Sequence, residues 1–300
     1  MTILVTGATG FVGQNLTQLN QNFRCVVRAG EHHAFADSYT VPTIDASTDW
    51  SNCFDGVDSI IHLAGLAHNK LYSDAEYRAV NTDGTLRLAL KAAEAGVKRF
   101  VFVSSIGVNG ISSYDNVFLP SDAADPHNSY AQSKHEAELG LWDISKQTGL
   151  EVVIVRPTLV YGPNAPGNFG MLTKLINSIP FLPFGLANNR RDFISAGNLV
   201  DLLIVCAKHK NAPGNIFLAS ENNTVSTRDF VNAIATGQGK KVFQIPIPVS
   251  FMRFAGLMIG KSAMIEQLFG NLEVDSSNLK DILNWTPPYS MKDSMAMLRK

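Results

Sequence analysis

Two side chains at one spacing carry the strongest chemical signal in this 300-residue chain: Tyr130 and Lys134, in the run YAQSK. Four residues apart on a helix, they stand on one face about one turn apart. A phenol has an ordinary pKa near ~10, and a neighbouring ammonium favours its ionised form. The pair therefore reads as a general acid–base that exchanges a proton with a substrate hydroxyl near neutral pH. YxxxK alone is a common chance match. It gains weight from the run SSIGVNG at residues 104–110, where Ser105 ends an expected strand and can turn a reacting oxygen toward Tyr130. Asn81 is read either as a relay passing a proton through water or as a hydrogen bond on a helix surface.

These residues need a scaffold, and its opening is explicit. Residues 6–13 read TGATGFVG, with Gly7, Gly10 and Gly13 at GxxGxxG spacing after a strand-like run and before a helix. Such a turn lets backbone approach a pyrophosphate, with the helix N–H groups of Phe11 and Val12 offered to its oxygens. Short apolar strands are expected at residues 2–6, 23–28, 59–63, 100–104 and 151–155. Helices are expected at 11–19, 75–95 and 129–146. Alternation of this kind predicts an α/β fold, a doubly wound parallel sheet of Rossmann type covered on both faces. After Pro157 the pattern becomes irregular. The sheet pattern returns at residues 193–195 and 216–218, and from about residue 220 helices dominate, with one strand near 242–245. The expected organisation is a dinucleotide-binding domain of residues 1–160 plus about 193–219, and a small, mostly helical substrate lobe of 161–192 and 220–300.

The second strand ends Val26-Val27-Arg28 with no acid before Glu31. An arginine there accommodates a 2′-phosphate, whereas an acid binds the ribose 2′-hydroxyl. NADP(H) is therefore favoured over NAD(H), the alternative being that Arg28 stacks on adenine or faces water. Asp45 is a candidate acceptor for the adenine amino group, or a solvated turn aspartate. Leu63, Ala64, Gly65 and Pro157 complete the candidates on the cofactor side.

Bulk properties narrow the class further. The chain is 45% hydrophobic and 17% charged with a net charge of −1, ordinary for a packed enzyme and without the field that nucleic acid binding needs. Cys25, Cys53 and Cys206 are far apart, form no CxxC pair, and read as reduced core thiols of a cytoplasmic protein with no metal site. No apolar run approaches the ~20 residues of a membrane span. The run at residues 251–259 is apolar but short and holds Arg253. It reads as a buried helix or lobe surface, with peripheral membrane contact as the alternative.

Taken in order, TGATGFVG, the Ser105 segment, YAQSK and RPTLVYGP at residues 156–163 give the chain a resemblance to the extended short-chain dehydrogenases/reductases, the NAD-dependent epimerase/dehydratase family. The resemblance implies hydride transfer between a nicotinamide and a sugar carbon, with Lys134 also bonding the nicotinamide ribose. It also implies a homodimer through a four-helix interface. GNF at residues 167–169 resembles the segment that holds the nucleotide of a UDP-sugar, which nominates Asn168 and Phe169. NRRDFISAGNLVDLL from Asn189 places Arg191 where the family's arginine engages that nucleotide. The dehydratases carry an Asp-Glu pair after the catalytic hydroxyl residue; here Ile106 and Gly107 stand there, which argues against dehydration. The leading expectation is an oxidoreductase reducing C4 of a UDP-4-keto-6-deoxy-N-acetylhexosamine in surface polysaccharide synthesis. The alternative is a UDP-hexose 4-epimerase (an isomerase) using bound NAD. A small-ketone reductase and a non-catalytic cofactor sensor rank below both.

Overall fold

The computed structural model describes residues 1–67 and 72–299. Its strands are β1 (Thr2–Thr6), β2 (Phe23–Arg28), β3 (Ser38–Val41), β4 (Val57–His62), β5 (Arg99–Val103), β6 (Glu151–Pro157), β7 (Leu159–Tyr161), β8 (Phe181–Leu182), β9 (Phe193–Ser195), β10 (Ile216–Ala219) and β11 (Phe243–Gln244). The helices are α1 (Phe11–Thr17), α2 (Asp74–Tyr77), α3 (Thr85–Glu94), α4 (Ser129–Thr148), α5 (Gly167–Ser178), α6 (Ala196–Lys208), α7 (Thr227–Gly237), α8 (Val249–Met258), α9 (Ser262–Phe269), α10 (Ser277–Leu283) and α11 (Met291–Ala296).

Seven strands form one sheet in the order β10-β6-β5-β4-β1-β2-β3, and every pairing in it is parallel. Strands such as β1 and β6 are buried along nearly their whole length, because helices cover both faces. The two apolar clusters that flank the sheet show this: Leu199, Leu202 and Leu203 of α6 join one, and Leu88 of α3 with Leu141 of α4 join the other. The strand order reverses at β1, between β4 and β2. Open α/β sheets bind ligands at that switch point, beyond the carboxyl ends of the strands.

The sequence expectations differ from the structure in two places that matter. The segment expected as a helix over residues 75–95 is interrupted by a π-helical stretch, Arg78–Gly84, between α2 and α3. β9 pairs with β7 outside the main sheet, and only β10 joins it. β7 and β9, of three residues each, are too short for their pattern to reveal which partner they choose. Of the two readings of the apolar run at residues 251–259, the outer face of α8 forms a lobe surface, with Phe251 at 61% and Leu257 at 67% exposed. The C-terminal part has its own apolar core, in which Phe193 stacks on Phe230 at 3.8 Å between ring centroids. The cysteines are buried and free. Among the described residues, no helix is long and apolar enough to cross a membrane, and no cluster could hold a metal ion.

Candidate active site

The glycine turn lies where β1 ends, against the end of β4. Gly7 has φ +69°, and a Cβ there would stand 2.8 Å from the Ala64 backbone nitrogen. At Gly13 a Cβ would stand 2.2 Å from the Gly7 carbonyl oxygen. Both positions therefore exclude a side chain. Gly65 closes the same hollow: its Cβ would meet Asn81 Oδ1 at 2.9 Å and Lys134 Nζ at 3.3 Å. Gly10 precedes α1 as its N-cap, and Phe11 and Val12 open the helix. This backbone-lined cradle at the switch point fits a dinucleotide.

Arg28 does not point an unpaired charge at the cradle. Its Nε and Nη2 donate to Glu31 Oε1 at 2.8 and 2.7 Å. The other oxygen of Glu31 accepts from the Thr9 hydroxyl in the glycine turn at 2.9 Å. Burial acts to raise the Glu31 carboxyl, but the hydrogen bonds from Arg28 and Thr9 hold it below the usual range. An ionised acid thus sits beside the turn, three residues after the strand end at Arg28. Asp45 is engaged with Ser47, whose amide and hydroxyl both donate to Oδ1. Pro157 ends β6, buried, opposite Ala219.

α4 presents the candidate proton-exchanging residues. Asn128 caps it by accepting from the Ala131 amide at 2.8 Å, and Gly149 ends it in the left-handed conformation at φ 78°. Tyr130 is then the second residue of the helix, and Lys134 follows one turn later. Burial pushes the Tyr130 phenol up to about 12 against a hydrogen bond with Ser105, and Tyr77 adds to the rise. Ser105 Oγ also accepts from the Gly107 amide at 3.1 Å. Lys134 Nζ donates to the Val103 carbonyl at 3.0 Å and lies over the Phe102 ring. Burial pulls its pKa to about 8, opposed by Glu138. In this arrangement burial outweighs the Ser105 hydrogen bond in its effect on the phenol.

Beneath this pair runs a chain of buried polar groups. Asn81 Oδ1 accepts from the Leu66 amide, and its Nδ2 donates to the Leu66 carbonyl and to Ser133 Oγ. Asn81 sits in the π-helical stretch, a device that re-aims groups at functional sites. Its own carbonyl accepts from Thr85 Oγ1 at 2.7 Å. Thr85 Oγ1 therefore accepts from His62 Nε2 at 2.8 Å, and His62 Nδ1 accepts from Thr6 Oγ1 at 2.6 Å. Thr6 Oγ1 in turn accepts from the Ala64 amide. The imidazole is neutral, its pKa lowered by burial to about 3. One hydrogen-bonded line thus ties the β1 and β4 ends to the stretch that carries Asn81.

A second buried network braces α4 against the sheet. Glu138 takes both Nε and Nη2 of Arg156, at 2.9 and 2.5 Å, and the Ser104 hydroxyl. Arg156 Nη1 reaches Asn109 Oδ1. All four side chains are buried.

On the substrate side, the candidate residues are held by the lobe. Phe169 is 2% exposed and packs with Tyr161 and Phe230 in the lobe core. Asn168 Nδ2 reaches Gln267 Oε1 at 3.3 Å. Arg191 is buried, with Nη1 on the Gly270 carbonyl, and burial lowers its pKa to about 10. A cleft of about 430 Å³ lies between the lobe and the segment after Ser112, and Asn189, Arg190, Arg253 and Glu266 line it. Arg190 pairs with Glu273 and Arg253 with Glu266. The sequence reading named Glu31 only as the first acid after β2 and passed over His62, Ser133, Arg190 and His127, whose ring stands against Gly107 near Ser105. A polar residue closing the apolar run of β4 was the available signal for His62. Nothing in spacing marks the others.

The sequence pattern of the NAD dependent epimerase/dehydratase family matches residues 3–219. The chain is 39% identical over 302 residues to the UDP-glucose 4-epimerase of Vibrio cholerae, covering 97% of this chain and 92% of that protein. Its fold is shared with the UDP-N-acetylglucosamine 4-epimerase from Bacillus cereus, at a TM-score of 0.80 and 18% identity over 99% of this chain and 98% of that one. The UDP-glucuronic acid 4-epimerase from Bacillus cereus in complex with NAD gives 0.77 and 20%, over 98% and 94%.

Proposed function

Because the chain belongs to the NAD dependent epimerase/dehydratase family, we propose that it is a UDP-hexose 4-epimerase working with NAD. Residues 1–160 with about 193–219 hold the dinucleotide in this reading, and residues 161–192 and 220–300 hold the UDP-sugar. The observation that carries it is the bonded pair Tyr130 and Ser105, with Lys134 of the same helix reaching Gly65 at the cradle. Ile106 and Gly107 stand where an eliminating acid and base would have to be. NAD, when bound, supplies the acceptor for a hydride from C4 of the sugar and the donor that returns it. Ser105 orients the C4 oxygen. Tyr130 Oη takes the proton from that oxygen and later gives one back, so the chain ends each cycle in the state it began. Lys134, cationic below its pKa of about 8, is the positive charge on the same helix face that favours the phenolate.

Glu31 supports NAD over NADP. An ionised carboxylate at the end of β2 accepts from a ribose 2′-hydroxyl and repels a 2′-phosphate, and Arg28 is occupied in holding that carboxylate. The 4-ketoreductase reading leaned on Arg28 as a phosphate ligand and loses that support. Exposed Leu90 on α3 and Leu139 on α4, at 38% and 53%, support the dimer through these helices. Light scattering that gives a monomer at micromolar concentration counts against it.

The direct test denatures purified protein and identifies the released dinucleotide by mass, beside an assay for C4 epimers of UDP-glucose and UDP-N-acetylglucosamine. Stoichiometric NAD and interconversion are expected, with turnover lowered about a thousandfold by Tyr130→Phe. Reversible NADPH binding without any epimer would replace this reading by the 4-ketoreductase.

A further inference from the structure

An amphipathic helix of a folded domain turns its apolar stripe inward. α8 has an apolar stripe on each side. Inward, Gly256 meets α9 so closely that a Cβ would stand 2.4 Å from Ile265 Cγ1. Outward, Phe251, Phe254, Leu257 and Met258 are 60–70% exposed, and at 100° per residue they fall on one arc of about 120°. Ile259 extends the surface at 65%, and the strand that leads into α8 exposes Phe243 at 61% in a stacked pair with Phe181. Isolated exposed apolar residues are ordinary, but a contiguous stripe of large ones marks a contact surface.

The charge around the stripe says what it contacts. Residues 240–265 hold four cations, Lys240, Lys241, Arg253 and Lys261, and no carboxylate, in a chain of net charge −1. Arg253 is neutralised by Glu266. Among the described residues, no ion pair with a carboxylate occupies Lys240, Lys241 or Lys261. A second copy seated on this face by two-fold symmetry would bring the same three lysines toward each other, whereas an anionic surface meets them with opposite charge. Ten residues of helix are about 15 Å long, half the ~30 Å of a bilayer core, so α8 lies along a surface and does not span it. A short helix with Phe, Leu and Met on one side and lysines at its flanks is the chemistry of interfacial lipid binding.

We infer that α8 and the strand before it dock the protein on an anionic lipid bilayer. The apolar stripe enters the headgroup–acyl boundary, and Lys240, Lys241 and Lys261 lie among the phosphates. α8 also supplies Val249 and Arg253 to the cleft wall, so docking sets that wall at the membrane surface. The inference does not depend on which reaction the site performs.

The experiment is cosedimentation of the whole protein with sucrose-loaded vesicles of phosphatidylcholine alone or with 30 mol% phosphatidylglycerol. Pelleting is expected with the anionic vesicles, weakened by 0.5 M NaCl. Phe251→Ser with Phe254→Ser should weaken it at least tenfold, and so should Lys240→Glu with Lys241→Glu. Melting temperature and light-scattering mass should stay unchanged in both double variants. Wild-type protein that remains in the supernatant with anionic vesicles overturns the inference. So does a Phe251→Ser, Phe254→Ser variant whose oligomer dissociates while vesicle binding persists, which would assign the stripe to a second copy.

Discussion

Under the glycine cradle, polar side chains are buried; on α8, apolar side chains are exposed. His62, Asn81, Thr85, Glu138 and Arg156 are all under 4% exposed, and each is hydrogen-bonded to a partner in the same line or network. Phe251, Phe254 and Leu257 are above 59% exposed. Burying a polar group is tolerable only when its bonds are satisfied, and exposing apolar groups needs something outside the fold to cover them. The first region therefore spends stability on geometry inside the molecule. The second leaves apolar surface for use beyond it.

The contrast predicts where substitutions hurt. Glu138→Ala leaves Arg156 buried without its carboxylate and should cost about 3–5 kcal/mol in denaturant unfolding. A change under 1 kcal/mol would mean that the network is not a brace. In the lobe, Phe230→Ala empties an aromatic cluster and should cost a similar ~3–5 kcal/mol, though Phe230 lies in the same lobe as α8.

The pH dependence is smaller per unit but directional. The folded pKa of His62 is about 3, below its ordinary value near ~6.5. Between these values the unfolded chain binds a proton that the folded chain refuses. His62 therefore leaves stability intact above about pH 6.5 and removes it as pH falls toward 3, at up to about 1.4 kcal/mol per pH unit. His62→Gln should flatten that acid limb in thermal melts across pH 4–7. An unchanged slope would show that the imidazole is protonated in the fold.

The smallest effect should lie on α8. Phe251→Ser with Phe254→Ser should move unfolding free energy by no more than about 0.5 kcal/mol per site. A loss near that of Phe230→Ala would show that the outer stripe is covered by the protein's own core.

Much of this was legible along the chain. The strands β1, β2 and β6 announce themselves as apolar, β-branched runs, and TGATGFVG marks the turn between β1 and α1 because backbone crowding admits only glycine there. YAQSK marks its own spacing on α4, since i and i+4 are neighbours in any helix. What the sequence left open has one cause. Arg28 was weighed without Glu31, which folds back through a turn. Phe169 and Arg191 sit in runs like those of nucleotide-sugar enzymes, yet their side chains turn into the lobe. α8 was read as a buried helix or lobe surface because an apolar run does not state which of its faces finds a partner.

By itself, the sequence determined what local rules govern: strand and helix alternation, the glycine turn, the face shared by Tyr130 and Lys134, and the family those motifs mark. Only the tertiary structure decided pairings between residues distant in the chain. It brought Gly65 against Asn81 and Lys134, tied Arg28 to Glu31 and Thr9, joined His62 to Thr85, and left the outer face of α8 uncovered. Periodicity and spacing are properties of one segment. Burial, pKa and hydrogen-bond satisfaction belong to the environment that other segments supply.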